Sequence, residues 1–277
     1  MFWATPSSKI RRAEVREFFT HEPSWWRRMI RDEGKLSSLH EKVIDAKRRD
    51  FGIALNRAFF ETNVNISELE KFRIADLASL DATNPDPREG QLFQNLMDHS
   101  VFLYGFPGIA DRDRRNFAIR ALKLKSNFIV EYNPIKISIL FLTKKQLILH
   151  EERLNLFAGR PQSMSSCSIF LKDIAIVEKI MVSDLITKEE LKENEARLPV
   201  DILERNMDVE IQRHALRIVL VNRITYDLPI GAPILVIPDD MSSTGWDDGI
   251  DGEIEQKTLK AKRAIAGRIV DAKRANT

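Results

Sequence analysis

The sequence predicts an α+β fold, in which a helical N-terminal region precedes a β-domain that ends in a helix. Three observations carry this prediction. Across residues 1–108, apolar residues recur at helical spacing between charged ones. Between residues 127 and 182, short runs rich in Ile, Leu, Val and Phe are separated by turn residues, which is typical of the strands of a compact β-domain. From about residue 253 to 275 the spacing becomes helical again.

The region 1–108 is predicted to contain several helices. The first begins after Ser7 or Ser8, either of which can cap it. A longer helical pattern runs from about residue 36 to 60. Another helix opens at Asn65, with Glu68 at the capping-box position. Residues 91–104 are predicted to form a further helix, which Gly105-Phe106-Pro107-Gly108 ends.

Residues 109–125 are predicted to form a basic amphipathic helix that connects the two halves. Six cations and only two acids occur in it, and its apolar residues can pack on either neighbour. The predicted domains are therefore a helical region (1–108), a connecting helix (109–125) and a β-domain (126–277).

Strands are predicted within the β-domain wherever the apolar runs occur. Lys144-Lys145 is predicted to be a tight turn that joins residues 136–143 and 146–151 into a hairpin. A second pair is predicted at 215–221 and 224–228, and a last edge segment at 234–237. The further predicted strands are 127–132 and 168–170, the latter running on into 174–182.

Three other segments of the β-domain are not predicted to be strands. Ser163, Ser165, Ser166 and Ser168 are interpreted as a solvated loop. An inserted surface helix is predicted at about 187–205, with Thr187 and Glu190 forming a capping box. Residues 239–255 contain seven carboxylates and no Lys or Arg, which indicates an acidic linker before the C-terminal helix.

Three stretches of the β-domain resemble the bacterial pleckstrin-homology-like (PH-like) family, including its GRAM-type members. Residues 141–148 (FLTKKQLI) follow the family's hairpin pattern, an apolar residue, Leu-Thr, three variable residues, then Leu and an apolar residue. Residues 169–174 (IFLKDI) match its Ile-x-Leu-x-Asp-Ile pattern. Residues 215–228 (ALRIVLVNRITYDL) are similar to the family's next hairpin, and the last helix has the corresponding position.

The resemblance covers about residues 126–275 and implies an antiparallel PH-like β-barrel or sandwich that acts as a binding or scaffolding module. The inserted helix and the acidic linker depart from the usual pattern. In members that bind phosphoinositides, several cations surround the first hairpin loop. Here that loop is 133–136, and Lys136 is its one cation, so a phosphate would not find converging donors there.

The sequence does not indicate an enzyme, a cofactor or a metal. Cys167 is the single cysteine, so neither an intramolecular disulfide nor a cysteine cluster for zinc can form. None of the five histidines has a His or Cys partner at metal-ligand spacing, and His150 is predicted to face solvent at a strand end. Gly-rich phosphate loops and the Gly-x-Ser-x-Gly motif are absent. Without a secretory signal or a transmembrane run, we expect a cytoplasmic protein, with peripheral attachment to the inner face of a membrane as an alternative.

Two kinds of segment are candidates for contact with a partner. Adjacent Trp25 and Trp26 followed by Arg27 and Arg28 suit a protein interface or a membrane interface, although ordinary packing in the helical region explains them equally well. The basic helices are the other candidates, and a solvated charged face is the simpler explanation for them. The residues chosen from these helices are Arg112, Arg114, Arg115, Lys257, Lys260, Lys262 and Arg263.

The function predicted from these patterns is a non-enzymatic adaptor that docks protein partners as a subunit of a larger assembly. The first alternative is a peripheral module that binds anionic lipid through the Trp-Arg segment and the basic helices. The second is a nucleic-acid-binding protein that uses the basic helices, although a net charge of +2 weakens it. A third is an enzyme whose site the sequence does not reveal.

Overall fold

The computed structural model describes residues 6–21, 32–71, 96, 98–108, 117–124, 127–193, 208–236 and 250–274. Its helices are α1 (Pro6–Thr20), α2 (Asp32–Thr62), the short α3 (Lys188–Glu193) and α4 (Ile250–Arg274). Its strands are β1 (Ser100–Gly105), β2 (Ala118–Leu124), β3 (Asn127–Asn133), β4 (Ile135–Leu142), β5 (Gln146–Asn155), β6 (Arg160–Phe170), β7 (Ile174–Ile186), β8 (Val209–Leu220) and β9 (Thr225–Val236).

Seven of these strands form one mixed sheet, in the order β6-β5-β4-β1-β9-β8-β7, and β2 and β3 form a separate hairpin. The strands β1, β4, β5 and β6 are antiparallel neighbours, as are β7, β8 and β9. The two groups meet where Gly105 of β1 pairs in parallel with Gly231 of β9. We call β1, β4, β5 and β6 the four-strand meander, and β7, β8 and β9 the three-strand meander. They are joined through β1, the first strand of the former, and β9, the last strand of the latter.

The sheet curls into a half-barrel around an inner core. Although β6 and β7 are at opposite ends of the strand order, Ile169 of β6 and Ile174 of β7 belong to the same buried cluster. That cluster also contains Ile265 and Ile269 of α4. The apolar stripe of the C-terminal helix therefore packs against the inner core.

A second core, the helix-side core, lies on the other face of the sheet. There α1, α2 and the β2–β3 hairpin cover the strands, with Phe18, Phe19 and Leu55 fully buried. Ile137, Ile139 and Phe141 of β4 face this core, while Leu140 and Leu142 face the inner core. The sequence predicted that Ile137, Ile139 and Phe141 share one face, and the structure confirms it, because side chains alternate along a strand.

The last part of the helix predicted at 91–104 is a strand in the structure. Residues 100–104 belong to β1, in the middle of the sheet, whereas 91–95 lie outside the described residues. Val101 and Leu103 face the inner core and Phe102 faces the helix-side core. A strand buried on both faces is a continuous apolar run, and periodicity alone cannot distinguish such a run from part of a helix.

Part of the connecting helix predicted at 109–125 is also a strand in the structure. Residues 118–124 form β2, which pairs antiparallel with β3 from Ala118 opposite Asn133 to Leu124 opposite Asn127. Arg120 is buried and donates hydrogen bonds to the carbonyls of Phe18 and His21, the latter at 3.0 Å, so it does not belong to a solvated basic face. The division of the chain at residues 108 and 125 stays a prediction about domains, but both segments before 126 supply strands.

The structure agrees with several other predicted elements and extends them. The hairpin at 136–151 is β4–β5, and Thr143 N–H donates to the Gln146 carbonyl at 2.9 Å across its turn. By contrast, the four serines predicted as a solvated loop lie on the strand β6, which corrects that prediction. The predicted capping box forms at α3, where Thr187 and Glu190 exchange hydrogen bonds of 2.9 and 3.3 Å. The rest of the predicted inserted helix, 194–205, lies outside the described residues.

The sheet is mixed rather than antiparallel, which corrects one part of the predicted fold. The cause is the single parallel contact between β1 and β9, which sequence periodicity does not encode. Asn65 caps a 3-10 turn, Ile66–Glu68, by accepting from Ser67 N–H at 3.1 Å. The predicted helix does not continue beyond that turn at 69–71, where Leu69 has an extended backbone. Its remainder, 72–80, and residues 239–249 of the predicted acidic linker lie outside the described part of the chain.

Candidate functional site

Buried ion pairs attach α2 to the β2–β3 hairpin and to the seven-stranded sheet. The Glu131 carboxylate of β3 receives His40 Nε2 at 3.0 Å and the Lys47 ammonium, both from α2. Arg57, further along α2, donates to Glu152 of β5 at 2.6 Å. Burial raises the pKa of Glu131, but the Lys47 ammonium and the His40 ring outweigh burial and hold that pKa below its ordinary value. Because these cations and carboxylates are paired with each other, we assign them a structural role, which is to fix the position of α2.

His150 belongs to this buried layer, which corrects the prediction that it faces solvent. Its side chain is 1% exposed, its Nδ1 lies 2.8 Å from Ser166 Oγ, and its Nε2 lies 3.7 Å from Glu152 Oε2. The reason is the alternation along β5. Ile148 and Leu154 face the helix-side core, and His150 and Glu152 share their face because they lie between them at even positions.

A smaller polar group lies on the inner side of the half-barrel. Lys136 contacts Glu151 at 2.6 Å and donates to the Asp227 carbonyl at 3.1 Å. Cys167 Sγ lies 3.7 Å from the Tyr226 hydroxyl. The contact with Cys167, together with burial, raises the pKa of Tyr226. A phenol with a raised pKa stays protonated at neutral pH, so it is a hydrogen-bonding group there rather than a base.

The two ends of the sheet expose apolar side chains. Within the part of the chain that the structure describes, β6 pairs only with β5 and β7 only with β8. Most of the large apolar side chains exposed in that part lie on these two strands or on the β8–β9 turn. They are Met164, Phe170, Ile176, Met181, Leu185, Val221 and Ile224.

Two cavities border β6. We call the first the corner cavity; its volume is about 460 Å³, and it lies between the end of β6 and the β8–β9 turn. Its lining consists of Ser168, Ile169, Phe170, Asp173, Leu220, Val221, Asn222 and Tyr226. We call the second the loop cleft, of about 820 Å³, between the segment that follows α2 and the β4–β5 turn. Its lining consists of Thr62, Asn63, Val64, Asn65, Ser67, Glu68, Leu69, Glu70, Thr143, Lys144, Lys145, Gln146, Ile148 and Ser168.

The cavities differ in chemistry and share one residue. The apolar part of the corner cavity's lining comes from Ile169, Phe170, Leu220, Val221 and Tyr226, and its polar part from Ser168, Asp173 and Asn222. The loop cleft has Lys144 and Lys145 on one side and Glu68 and Glu70 on the other, and the Arg268 guanidinium of α4 pairs with Glu70. Ser168 lines both cavities, so β6 separates them at its C-terminal end.

The structure brings few of the predicted contact residues together. Trp25, Trp26, Arg27, Arg28, Arg112, Arg114 and Arg115 lie outside the described residues. Lys257 and Lys260 lie on α4, but their side chains are not among those described. Lys262 is half-buried and Arg263 is exposed on the same helix.

Sequence reasoning missed the edge of β6. The available signal was the absence of charge: between Arg160 and Lys172 the chain has no charged residue. No helix in the described residues combines the length and the apolar character that a membrane span requires. Comparison with protein-family models, with curated proteins and with solved structures finds no match.

Proposed function

We propose that the protein is a non-enzymatic docking protein, an adaptor that binds protein partners as a subunit of a larger assembly. One observation carries the proposal: the exposed large apolar side chains concentrate on β6, β7 and the β8–β9 turn. Scattered exposed apolar residues need no explanation, whereas a concentration of them marks an interaction surface. Phe170, with 48% of its surface exposed, and Val221, with 69%, border the corner cavity.

The order of the strands supports a PH-like identity for the fold within this proposal. The resemblance implies a barrel of about seven strands followed by a helix. Here a four-strand and a three-strand meander are joined at β1 and β9 and are followed by α4. The segments 141–148 and 169–174, which carry the resemblance, lie at the β4–β5 hairpin and at the corner between β6 and β7. On this view α1, α2 and the β2–β3 hairpin are additions to a binding module.

A protein partner fits the chemistry of this surface better than a phosphate-rich one. Binding to DNA, RNA or anionic lipid depends on several converging cations. The edge strand β6 has no charge between residues 161 and 171, and its exposed side chains there are Gln162, four serines, Met164 and Phe170. Cores of protein interfaces are similarly depleted in charge and enriched in aromatic residues and Met.

The test is affinity capture with a matched control. The edge variant is Phe170→Ser combined with Ile224→Ser. The control is Phe60→Ser, which removes a phenylalanine from α2 that is 69% exposed, more than the 48% of Phe170. We expect the wild-type chain and the control to capture the same partner, and the edge variant to lose it.

The captured partner is then purified and titrated against the three proteins by calorimetry. A complex of fixed stoichiometry that is at least tenfold weaker with the edge variant supports the proposal, since tenfold corresponds to about 1.4 kcal/mol. Equal affinity for all three proteins, or capture of anionic vesicles or nucleic acid in place of a protein, contradicts it.

A further inference from the structure

The hydrogen bonds at the neighbouring turns show which backbone groups of β6 bond to β5 and which point away from it. Leu171 N–H donates to the Lys145 carbonyl at 2.9 Å, which continues the β5–β6 register by one pair beyond Phe170 opposite Gln146. In an antiparallel pair, hydrogen-bonded positions alternate with positions whose groups point away. The odd-numbered residues from Ser163 to Ile169 therefore bond to β5. The N–H and C=O groups of Met164, Ser166, Ser168 and Phe170 point away from β5.

The neighbouring hairpin gives the same parity. Thr143 N–H donates to the Gln146 carbonyl, so the even-numbered residues of β5 bond to β4 and leave its odd-numbered residues for β6. The outward groups of β6 form a straight row, because the register shift between β5 and β6 is confined to Arg153 and Leu154, at the other end. In the described part of the chain no strand occupies this row.

Proteins usually protect an exposed sheet edge with charged side chains, proline or a bulge. The edge of β6 from residue 162 to 170 has no charge and no proline. The small serine side chains leave the backbone accessible, since Ser163, Ser165, Ser166 and Ser168 are all exposed. Such an edge can accept an added strand.

The two cavities indicate which side chains a strand added to β6 would place on each face of the sheet. Side chains of neighbouring strands that lie opposite each other share a face of the sheet. Positions opposite Ile169 therefore point to the inner side, where Ile169 and Tyr226 line the corner cavity. Positions opposite Ser168 point to the helix side, because Ser168 pairs with Ile148 of the helix-side core, and both line the loop cleft.

We propose that an extended segment of a protein partner adds to the outer edge of β6, with alternating apolar and acidic side chains. This inference rests on the proposed docking function and names its binding mode. Apolar side chains enter the corner cavity. Acidic side chains point into the loop cleft toward the exposed ammonium groups of Lys144 and Lys145, because Glu70 is already paired with Arg268. Backbone hydrogen bonds supply the affinity in this binding mode, and side-chain pockets supply the specificity.

The probe is an array of nine-residue peptides of three designs. One alternates apolar residues with glutamate, one has the same composition in shuffled order, and one alternates apolar residues with lysine. The full chain is compared with Ser168→Pro, which removes an outward N–H without breaking a bond to β5, because proline is tolerated where a strand's N–H faces solvent. Ser168→Ala is the matched control that keeps the backbone group.

We expect the alternating glutamate peptides to bind best, and Ser168→Pro to bind them at least tenfold more weakly than Ser168→Ala does. We expect Lys144→Glu combined with Lys145→Glu to shift the preference to the lysine peptides. Amide hydrogen exchange of the wild-type chain provides a readout that needs no variant. Bound peptide should slow exchange at residues 164, 166, 168 and 170, whose N–H groups point outward.

Equal binding of alternating and shuffled peptides, binding unaffected by Ser168→Pro, or no peptide binding would each overturn strand addition. A dimer that light scattering detects in the wild type and not in Ser168→Pro would assign the edge to a second copy and also overturn it. The proposed function can survive either result. If a partner is lost with Phe170→Ser and Ile224→Ser but kept with Ser168→Pro, docking stands and only the binding mode is wrong.

Discussion

Arg12 and Asp50 form a bidentate ion pair, with Nη1 2.6 Å from Oδ2 and Nη2 2.5 Å from Oδ1. The same Nη1 donates to the Leu156 carbonyl at 2.8 Å. One guanidinium therefore connects α1, α2 and the loop between β5 and β6. The Asp50 side chain is 2% exposed and the Arg12 side chain 14%, so the ion pair is largely buried.

We expect Asp50→Ala to lower the free energy of unfolding by about 3–5 kcal/mol, because it leaves the Arg12 cation largely buried without its carboxylate. Urea unfolding monitored by circular dichroism measures the loss. Arg12→Met combined with Asp50→Leu should lose less than Asp50→Ala alone, since replacing both charges leaves neither uncompensated. Arg12→Met and Asp50→Leu are also measured singly, and a double variant as unstable as the sum of these two would show that the pair has no coupling of its own.

Acid should weaken the contact between α2 and β3 through Glu131. Its pKa in the folded protein lies below the ordinary value of 4.5, despite burial, because of Lys47 and His40. A carboxyl group with a lowered pKa contributes stability that is fully present above its unfolded pKa and is lost as pH falls through its folded pKa. At pH 7 we expect Glu131→Gln to cost about 3–5 kcal/mol, since Lys47 then lacks its buried partner.

Unfolding measured from pH 7 down to pH 3 checks this expectation. The difference between the wild type and Glu131→Gln should begin to shrink below about pH 4.5, where the unfolded chain is protonated first, and should shrink further as pH falls through the lower pKa of the folded state. Glu189→Gln is the control, because that side chain is 66% exposed and its removal should change stability by less than about 0.5 kcal/mol. A difference that stays constant with pH would mean that Glu131 does not contribute through its charge.

The parts of the fold that the sequence predicted are those determined by local patterns. Alternation in β4, the Lys144-Lys145 turn, the Thr187 capping box and the C-terminal helix all depend on neighbouring residues. β1 was assigned to a helix because its environment comes from distant strands, β4 and β9, which bury it on both faces. His150 was misplaced for a related reason: the strand continues to Asn155, and α2 covers it there.

The candidate site was harder to predict than the fold. Cations and tryptophans are conspicuous in a sequence, and they are the contact residues that the sequence predicts. The edge of β6 is recognised instead by the absence of charge in its sequence and, among the described residues, by the absence of a strand paired to its outer side. The corner cavity also combines residues about 50 positions apart, such as Ile169 and Leu220, which only the curl of the sheet brings together.

The docking proposal predicts that the protein does not float with anionic vesicles at physiological salt. Anionic lipid binding requires several converging cations, whereas the edge strand β6 has no charged residue between positions 161 and 171. Flotation with anionic and neutral vesicles at low and high salt is the measurement, run beside Trp25→Ala/Trp26→Ala and Lys262→Ala/Arg263→Ala. Flotation that needs anionic lipid, weakens with salt and drops in either double variant would favour the peripheral-membrane alternative.

Gly105→Ala should separate the two meanders of the sheet. A Cβ at residue 105 would lie 2.9 Å from the Ile230 nitrogen, 2.9 Å from Pro229 Cβ and 3.0 Å from the Gly231 carbonyl oxygen. Two of these atoms are backbone atoms of β9 and cannot move without shifting that strand. Gly105 also supplies the pairing between β1 and β9, so the clash falls on the contact that joins the two groups of strands.

We expect Gly105→Ala to cost about 1–3 kcal/mol, the usual cost of an added methyl group in a closely packed core, which thermal unfolding would show as a lowered Tm. Gly267→Ala is the matched control. It lies within α4 with nothing within 4 Å of the added Cβ, so we expect it to stabilise the protein by about 0.5–1 kcal/mol through helix propensity. If both variants change the Tm equally, the close approach of β1 and β9 does not limit the packing of the sheet.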